Sequence, residues 1–423
     1  MPHPDRDPRL PTSPGFWRSP LRGPWLTSVL GLVLLAGITV LFVTGLVSYA
    51  AYNPGLSPVN DKTPGKGILG FFLFDWPTDP HWLYRFTQGV HVTLGLTLIP
   101  VLLAKLWSVV PKLFALPPAR SVSHALERLS LLLLVGGALF EFTTGVLNIQ
   151  LDYLFPGSFY ALHFYGAWVF FAAFVAHVVL RLPTALRNAR RLRDTRGTGH
   201  GRDDEAAELV SPRPAQPTVS RRGALGLVGG ASLLLFVTSV GQSLGGVWRR
   251  TALLAPHGGA DPGSGPGGFQ INKTAAYAGI SAAETGEEAW RLVVSGSTGT
   301  VRLSRADLLA MPQHSAALPI ACVEGWSTPD QWWRGVRLRD LAALVGYDTD
   351  PPDVFVESLQ RQGAFRRAAL RANQVADPRS LLALDVNGEP LTRDHGHPAR
   401  IIVPAAPGVL NTKWVARLTF GDL

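Results

Sequence analysis

Apolar positions follow two regimes along this chain. Up to about residue 250 they form long, nearly unbroken runs, and from residue 269 they come as short runs between turns. A bilayer core needs about 20 mostly apolar residues per helix. Five stretches reach that length: Trp25–Ala50, Leu83–Trp107, Leu126–Ile149, Phe159–Leu180 and Ala224–Val247. The first four predict an all-α transmembrane bundle and the fifth a separate anchor helix. In the C-terminal region, apolar runs at Trp290–Ser295, Leu318–Val323, Val354–Ser358, Ala399–Val403 and Lys413–Phe420 alternate with turns. The segments Arg305–Ala310 and Leu338–Leu344 read as short helices, and Asn387-Gly388 as a hairpin turn. This is an α+β pattern, long enough for its own core.

The expected organisation has six parts. Residues 1–24 are an N-terminal segment, 25–185 the four-helix membrane domain, 186–222 a linker, 223–248 the fifth helix, 249–268 a tether and 269–423 the C-terminal domain. Residues 193–216 are charged and apolar-poor, the composition of a disordered linker. Residues 255–268 are rich in Gly and Pro, as in a flexible tether.

Charge adds an orientation. Only 16% of residues are charged and 47% are hydrophobic, with a net charge of +9. The arginines gather beside the apolar stretches rather than interleaving with aromatics, which argues for a membrane and against nucleic acid. Arg6, Arg9, Arg18 and Arg22 precede the first span. Lys105, Lys112, Arg120 and Arg128 lie between the second and third, and an arginine cluster from Arg181 to Arg202 follows the fourth. Positive residues stay inside, so the N-terminus is expected in the cytoplasm and everything after Trp248 outside.

Ionisable residues inside spans are costly and mark function. His91 lies in the second span, His163 and His177 in the fourth, and His124 at the start of the third. At 100° per residue, the 14 residues from His163 to His177 fall about 40° short of four turns, so both share a face roughly 21 Å apart. That spacing suits two stacked haems, an outer one on His91 and His163 and an inner one on His124 and His177. Interfacial histidines bonded to neighbouring helices are the alternative.

The single cysteine, Cys322, sits in Pro319-Ile320-Ala321-Cys322-Val323-Glu324-Gly325-Trp326-Ser327. It excludes an internal disulfide and any cluster built on several cysteines. It is either a small buried hydrophobe or a lone thiolate ligand to a soft metal. His395 and His397 have no third zinc ligand at a recognisable spacing.

Two resemblances extend this. Arg85 through His91, the run His124-Ala125-Leu126-Glu127-Arg128 and the His163/His177 helix resemble a bacterial four-helix cytochrome b of the b561-like kind, over about residues 20–185. That resemblance implies b-type haem and electron exchange with the quinone pool. Ser220-Arg221-Arg222-Gly223 before the fifth span resembles a twin-arginine export signal, though Ala224 stands at its aromatic position. An ordinary anchor with positive flanks fits as well.

Ala321 through Ser327, Trp333-Arg334-Gly335-Val336, Asp385 through Leu391, His395 through Arg400 and Asn411 through Val415 resemble the molybdopterin-binding domain of the sulfite oxidase family. The resemblance implies a molybdenum–molybdopterin cofactor, with Cys322 as the molybdenum ligand and catalytic residue. It assigns Arg400 and Lys413 to the pterin phosphate, with Asn411 and Thr412 as further donors. His395, Asn272 and, more weakly, Ser358 fall at pterin-contacting positions. The chain reaches Leu423 without the immunoglobulin-like domain of family sulfite oxidases, an expectation of the shorter bacterial branch that includes periplasmic methionine sulfoxide reductase.

The combined expectation is a multi-pass protein of a bacterial cytoplasmic membrane, in contact with lipid. It would transfer oxygen atoms to or from a small-molecule or protein-bound substrate outside the membrane, through haem and quinone. Reduction of S- or N-oxides leads. A sulfite-type oxidase and a non-catalytic electron-transfer or docking protein are the alternatives.

Overall fold

The computed structural model describes residues 9–61, 63–65, 74–114, 121–149, 159–190, 211, 213–255, 265–361 and 364–423. Among them, five helices are long and apolar enough to cross a membrane. They are α1 (Pro24–Ala50), α2 (Leu83–Phe114), α3 (Val122–Asn148), α4 (Phe159–Arg190) and α5 (Arg221–Leu244). Each falls on one of the apolar stretches, although α5 ends at Leu244, short of Val247, where Gly245 takes φ 71°. Pro100 and Pro111 lie inside α2 and Pro183 inside α4. Membrane helices tolerate proline where neighbours re-satisfy the freed carbonyls. Most of the linker, at 191–210 and 212, and part of the tether, at 256–264, lie outside the described residues.

The chain divides into two compact units. The first comprises Met1–Phe42, Leu94–Asn148 and Leu162–Val237. Leu26, Leu30, Leu34 and Ile38 form one stripe of α1 and pack with Leu98, Val101 and Leu102 of α2 and Phe170 and Phe174 of α4. Phe42 stacks on Phe171 with ring centroids 3.6 Å apart. Other faces leave Val33, Val40, Leu132, Leu133, Val169 and Val175 exposed. Exposed apolar rows of this kind are unfavourable in water and suit hydrocarbon.

The second unit comprises Val43–Thr93, Ile149–Ala161 and Thr238–Leu423. It holds two five-stranded sheets. One runs β2 (Gly299–Leu303), β1 (Leu292–Gly296), β10 (Val415–Phe420), β5 (Val354–Ser358), β6 (Arg367–Leu370), with β1 and β10 parallel. The other runs β3 (His314–Leu318), β4 (Gln331–Arg337), β7 (Leu381–Val386), β8 (Glu389–Pro390), with β9 (Arg400–Ile402) also paired to β7. Three short helices, α6 (Arg305–Ala310), α7 (Leu338–Ala343) and α8 (Ala372–Ala376), join them. Ser304 and Asp307 form a reciprocal capping box that starts α6. Leu292, Val294, Val336, Leu341, Val356 and Leu418 are buried in the main core. Asn387 at φ 52° and Gly388 at φ 90° make the expected hairpin turn, since such turns need positive φ at both positions.

Several apolar runs differ from the strands observed, β1 beginning at Leu292 rather than Trp290 and β9 spanning only Arg400–Ile402. The run Leu318–Val323 is strand only at Leu318. Beyond it Ala321 makes single bridges to Ser327 and Pro407. Pro319 has no N–H for a ladder, and Gly325 at φ +87° turns the chain. The last strand starts at Val415 rather than Lys413, because Trp414 adopts φ 53°.

Candidate functional site

Five segments of the second unit meet around one cleft. Its wall includes Asn272, Trp326, His395, Arg400, Asn411, Thr412 and Lys413. β9 carries Arg400, and the loop leading to β10 carries Asn411 to Lys413.

Arg400 is 4% exposed. Its Nη1 donates to the His395 carbonyl at 3.0 Å and its Nη2 to the Asn411 carbonyl at 3.2 Å. It lies 5.1 Å from the Trp333 ring centroid. Burial lowers its pKa to about 9. Lys413 donates from Nζ to the carbonyls of Lys273 and Asp394. Burial holds its pKa well below the usual lysine value, and Arg400 and Lys273 add repulsion. Lys273 is lowered in the same way by burial. Three cationic side chains thus converge where desolvation disfavours their charge, an arrangement an anion relieves.

Three donors around the cleft lack partners. Arg400 Nε, Asn411 Nδ2 and Thr412 Oγ1 are buried without a hydrogen bond. Buried polar atoms are nearly always satisfied, so these match the donor set for an oxygen-rich group. Asn411 is oriented by its Oδ1, which accepts from Val403 N at 3.0 Å.

His395 is held through Nδ1 by Thr392 Oγ1 at 2.8 Å, with Nε2 3.4 Å from the Phe269 carbonyl. Burial, then Arg400, pushes its pKa down to about 4 from 6.5. The unfolded chain therefore takes up that proton first as pH falls. The stability it withholds is intact above pH 6.5 and lost progressively towards pH 4. His395→Gln is expected to flatten this part of the acid fall in thermal midpoint, measured by calorimetry. An unchanged slope would show that other groups carry it.

Cys322 is 4% exposed and is not itself a wall residue of the cleft, although Ile320 and Trp326 on either side are. Its N–H donates to the Trp326 carbonyl at 2.9 Å, and Gly325 N–H donates back to the Cys322 carbonyl at 3.1 Å. Trp326 Nε1 donates to Glu324 Oε2 at 2.6 Å. Gly408 N–H donates to the Ala321 carbonyl at 2.6 Å. Burial raises the Cys322 thiol well above its usual pKa, and the Glu324 charge adds to that. The side chain is therefore held as the thiol rather than the thiolate.

Ser358 falls at the end of β5, but the cleft does not include it. Its Oγ donates to the Lys413 carbonyl at 2.8 Å, so it props the lysine's backbone. Sequence reasoning passed over Lys273 and Gln360, which do line the cleft. Lys273 is adjacent to Asn272, and that adjacency was the available signal.

The histidines of the helices are placed as follows. In the first unit, His163 Nδ1 lies 3.1 Å from Thr144 Oγ1 and 3.1 Å from Glu141 Oε2. Thr144 Oγ1 also lies 2.8 Å from the Phe140 carbonyl and 3.2 Å from the Glu141 carbonyl, which anchor it on its own helix. The Thr144 and Glu141 side chains both hold the ring through Nδ1, the kind of outer-shell support a metal-ligating imidazole receives on its second nitrogen. A Cβ on Gly145 would stand 3.2 Å from His163 Cε1, so glycine leaves the ring its place. In the second unit His91 repeats the pattern. Its Nδ1 lies 3.1 Å from Thr44 Oγ1, and a Cβ on Gly45 would be 3.1 Å from its Cε1. His177 is half-buried on α4, and for His124 only its backbone position in α3 is described. Among the described residues no group of three or more His, Cys, Asp or Glu is placed to hold a metal ion.

A family model described as the oxidoreductase molybdopterin binding domain matches residues 279–422. Mitochondrial sulfite oxidase of Rattus norvegicus is 31% identical over 158 residues, covering 31% of this chain and 29% of that protein. The uncharacterized oxidoreductase YuiH of Bacillus subtilis is 33% identical over 132 residues, covering 31% of this chain and 65% of that protein. The sulfane dehydrogenase SoxCD of Paracoccus pantotrophus aligns in structure with a TM-score of 0.30 and 24% identity, over 33% of this chain and 39% of that one. The chain spans under a third of the length of the sulfite oxidase it matches.

Proposed function

We propose that residues 279–422, a molybdopterin-binding oxidoreductase domain of the sulfite oxidase family, form the oxygen-atom-transfer half of a membrane-bound oxidoreductase. The observation that carries this reading is the set of buried cations and unpartnered donors beside the Cys322 loop. The residues fit the cofactor. Arg400 and Lys413 would hold the pterin phosphate, with Asn411 and Thr412 completing its donors and Asn272 and His395 lining the pterin. Ser358 would act only through the Lys413 backbone. The Cys322 thiolate would be the protein's ligand to the metal. The bound molybdenum group supplies two-electron oxygen-atom transfer. The chain would contribute a cationic cleft and, with the metal bound, a fixed thiolate.

The helical part would carry b-type haem on His91, His163, His177 and His124, fed by the quinone pool of a bacterial cytoplasmic membrane, with the molybdenum domain outside. The hold on His163 Nδ1 by Thr144 and Glu141 supports this, as does the repeated Thr-Gly cradle at Thr44-Gly45 and Thr144-Gly145. His163→Ala is expected to lower haem content in pyridine haemochrome spectra. Thr144→Ala is expected to weaken haem retention by ~10–100-fold, as loss of an outer-shell partner does. Full haem content in both variants would sink the assignment.

A haem bundle fused to a molybdenum domain suits quinol-fed reduction of an S- or N-oxide. The relatives named sulfite oxidase support the reverse direction as a second reading. Membranes given methionine sulfoxide, other S- and N-oxides or sulfite, with the haem bands followed, decide between them. Oxidation of reduced haem by an oxide supports the first reading, and reduction of haem by sulfite the second. No response to any of them, in protein that contains molybdenum, would leave a binding module instead.

A further inference from the structure

Within the second unit, the loop that carries Cys322 is seated on the first turns of α2. Gln88 Nε2 donates to the Val323 carbonyl at 2.5 Å, next in the chain to Cys322. Gly325 lies against Val92, so closely that a Cβ there would stand 2.7 Å from Val92 Cβ. The end of α5 locks the same junction. Ser243 Oγ donates to the Gly325 carbonyl at 2.6 Å, and Ser327 Oγ donates to the Ser243 carbonyl at 2.9 Å. Arg85 Nη2 donates to the Ser243 and Leu244 carbonyls at 3.2 and 3.1 Å. A Cβ on Gly89 would lie 3.1 Å from the Ser243 side chain.

Arg85, Gln88, Gly89 and Val92 recur at i, i+3, i+4 and i+7, which is one helix face. That face is given wholly to the Cys322 loop and to the end of α5. His91 borders it, about 60° around the helix from Gln88 and about 4.5 Å along the axis. Hydrogen bonding to a backbone carbonyl next to the metal-ligand position is more than packing requires. Gln88 is 8% exposed, and an apolar residue would fill the same space without a buried amide to satisfy.

We infer that this junction is the chain's electron-transfer contact, running from His91 through Gln88 and Val323 to Cys322, with Gln88 as its positioning residue. The inference rests on the reading of His91 as a haem ligand. Electrons leave quinol as a pair with two protons and cross the contact one at a time. Each crossing oxidises the His91 side and reduces the Cys322 side by one electron. Two crossings, with two protons, release the oxygen atom of an S- or N-oxide as water. A covalent fusion then needs no diffusing carrier between its two centres.

The test uses the full-length protein in detergent, photoreduced by deazaflavin semiquinone so that no substrate has to be known. Haem content is measured first by pyridine haemochrome and molybdenum content by mass spectrometry. Absence of haem would overturn the His91 reading itself. With both cofactors present, re-oxidation of haem as the electron moves on gives the internal transfer rate. Gln88→Met keeps length and volume but has no N–H, and is expected to slow this rate about tenfold at unchanged cofactor content, through loss of one hydrogen bond that holds the loop in contact. Ser243→Ala, which removes the bond to Gly325, is expected to act in the same direction and serves if Gln88→Met fails to assemble. A wild-type rate in either assembled variant would overturn the inference.

Discussion

Cys322→Ser is expected to lose molybdenum and, with it, oxygen-atom transfer. The effect should be at least ~100-fold, beyond what removing an outer-shell partner costs a metal site. Serine is close in size, and its hydroxyl is a poor partner for a soft metal. The fold should survive, because the loop is held by backbone bonds from Cys322 N–H to Trp326, from Gly325 N–H to Cys322 and from Gly408 N–H to Ala321. If Cys322 were only a small hydrophobe packed beside Phe269, Leu318 and Trp326, Cys322→Ala would cost about 1 kcal/mol in stability and nothing in metal. Mass spectrometry for molybdenum beside a thermal melt separates the two. Full metal content in both variants would remove Cys322 from the site.

Arg400→Ala is expected to hit both stability and cofactor. Its guanidinium bonds the carbonyls of His395 and Asn411, and so ties together the two loops that line the cleft. Removing it leaves two buried acceptors unpaired, at about 1–3 kcal/mol each. It also removes the most buried of the charges that would meet a phosphate. Arg400→Lys keeps the charge but not the forked geometry, and is expected to retain less pterin than wild type while melting above Arg400→Ala. The decisive measurement is pterin released on denaturation, read by its fluorescence after oxidation. Wild-type pterin in Arg400→Ala, whatever the melting point, would show that this arginine holds loops and not phosphate.

Much of the lining of this candidate cleft was legible along the chain because its residues come in short clusters. Asn411, Thr412 and Lys413 are consecutive, Arg400 follows His395 closely, and Cys322 is alone of its kind. The placing of Ser358 was not legible, because a residue's register on a strand does not say which way a hydroxyl bonds. It meets the Lys413 carbonyl rather than the cleft. Lys273 and Gln360 were missed because single polar residues in loops carry no periodicity. Only the convergence of segments around Lys413 gives them a role.

By itself the sequence determined five apolar spans, an α+β domain after them and a single cysteine, Cys322, as the one candidate for a soft ligand. Length, hydropathy and composition are local properties of the chain, and they settle such questions without contacts. The tertiary structure alone decided that His163 Nδ1 meets Thr144 and Glu141 and that Trp76 and Tyr84 pack with Ala321 beside Cys322. It also decided that Gln88 reaches Val323, 235 positions away along the chain. These depend on which groups meet through space, where hydrogen bonding and desolvation are set by neighbours that no local pattern records.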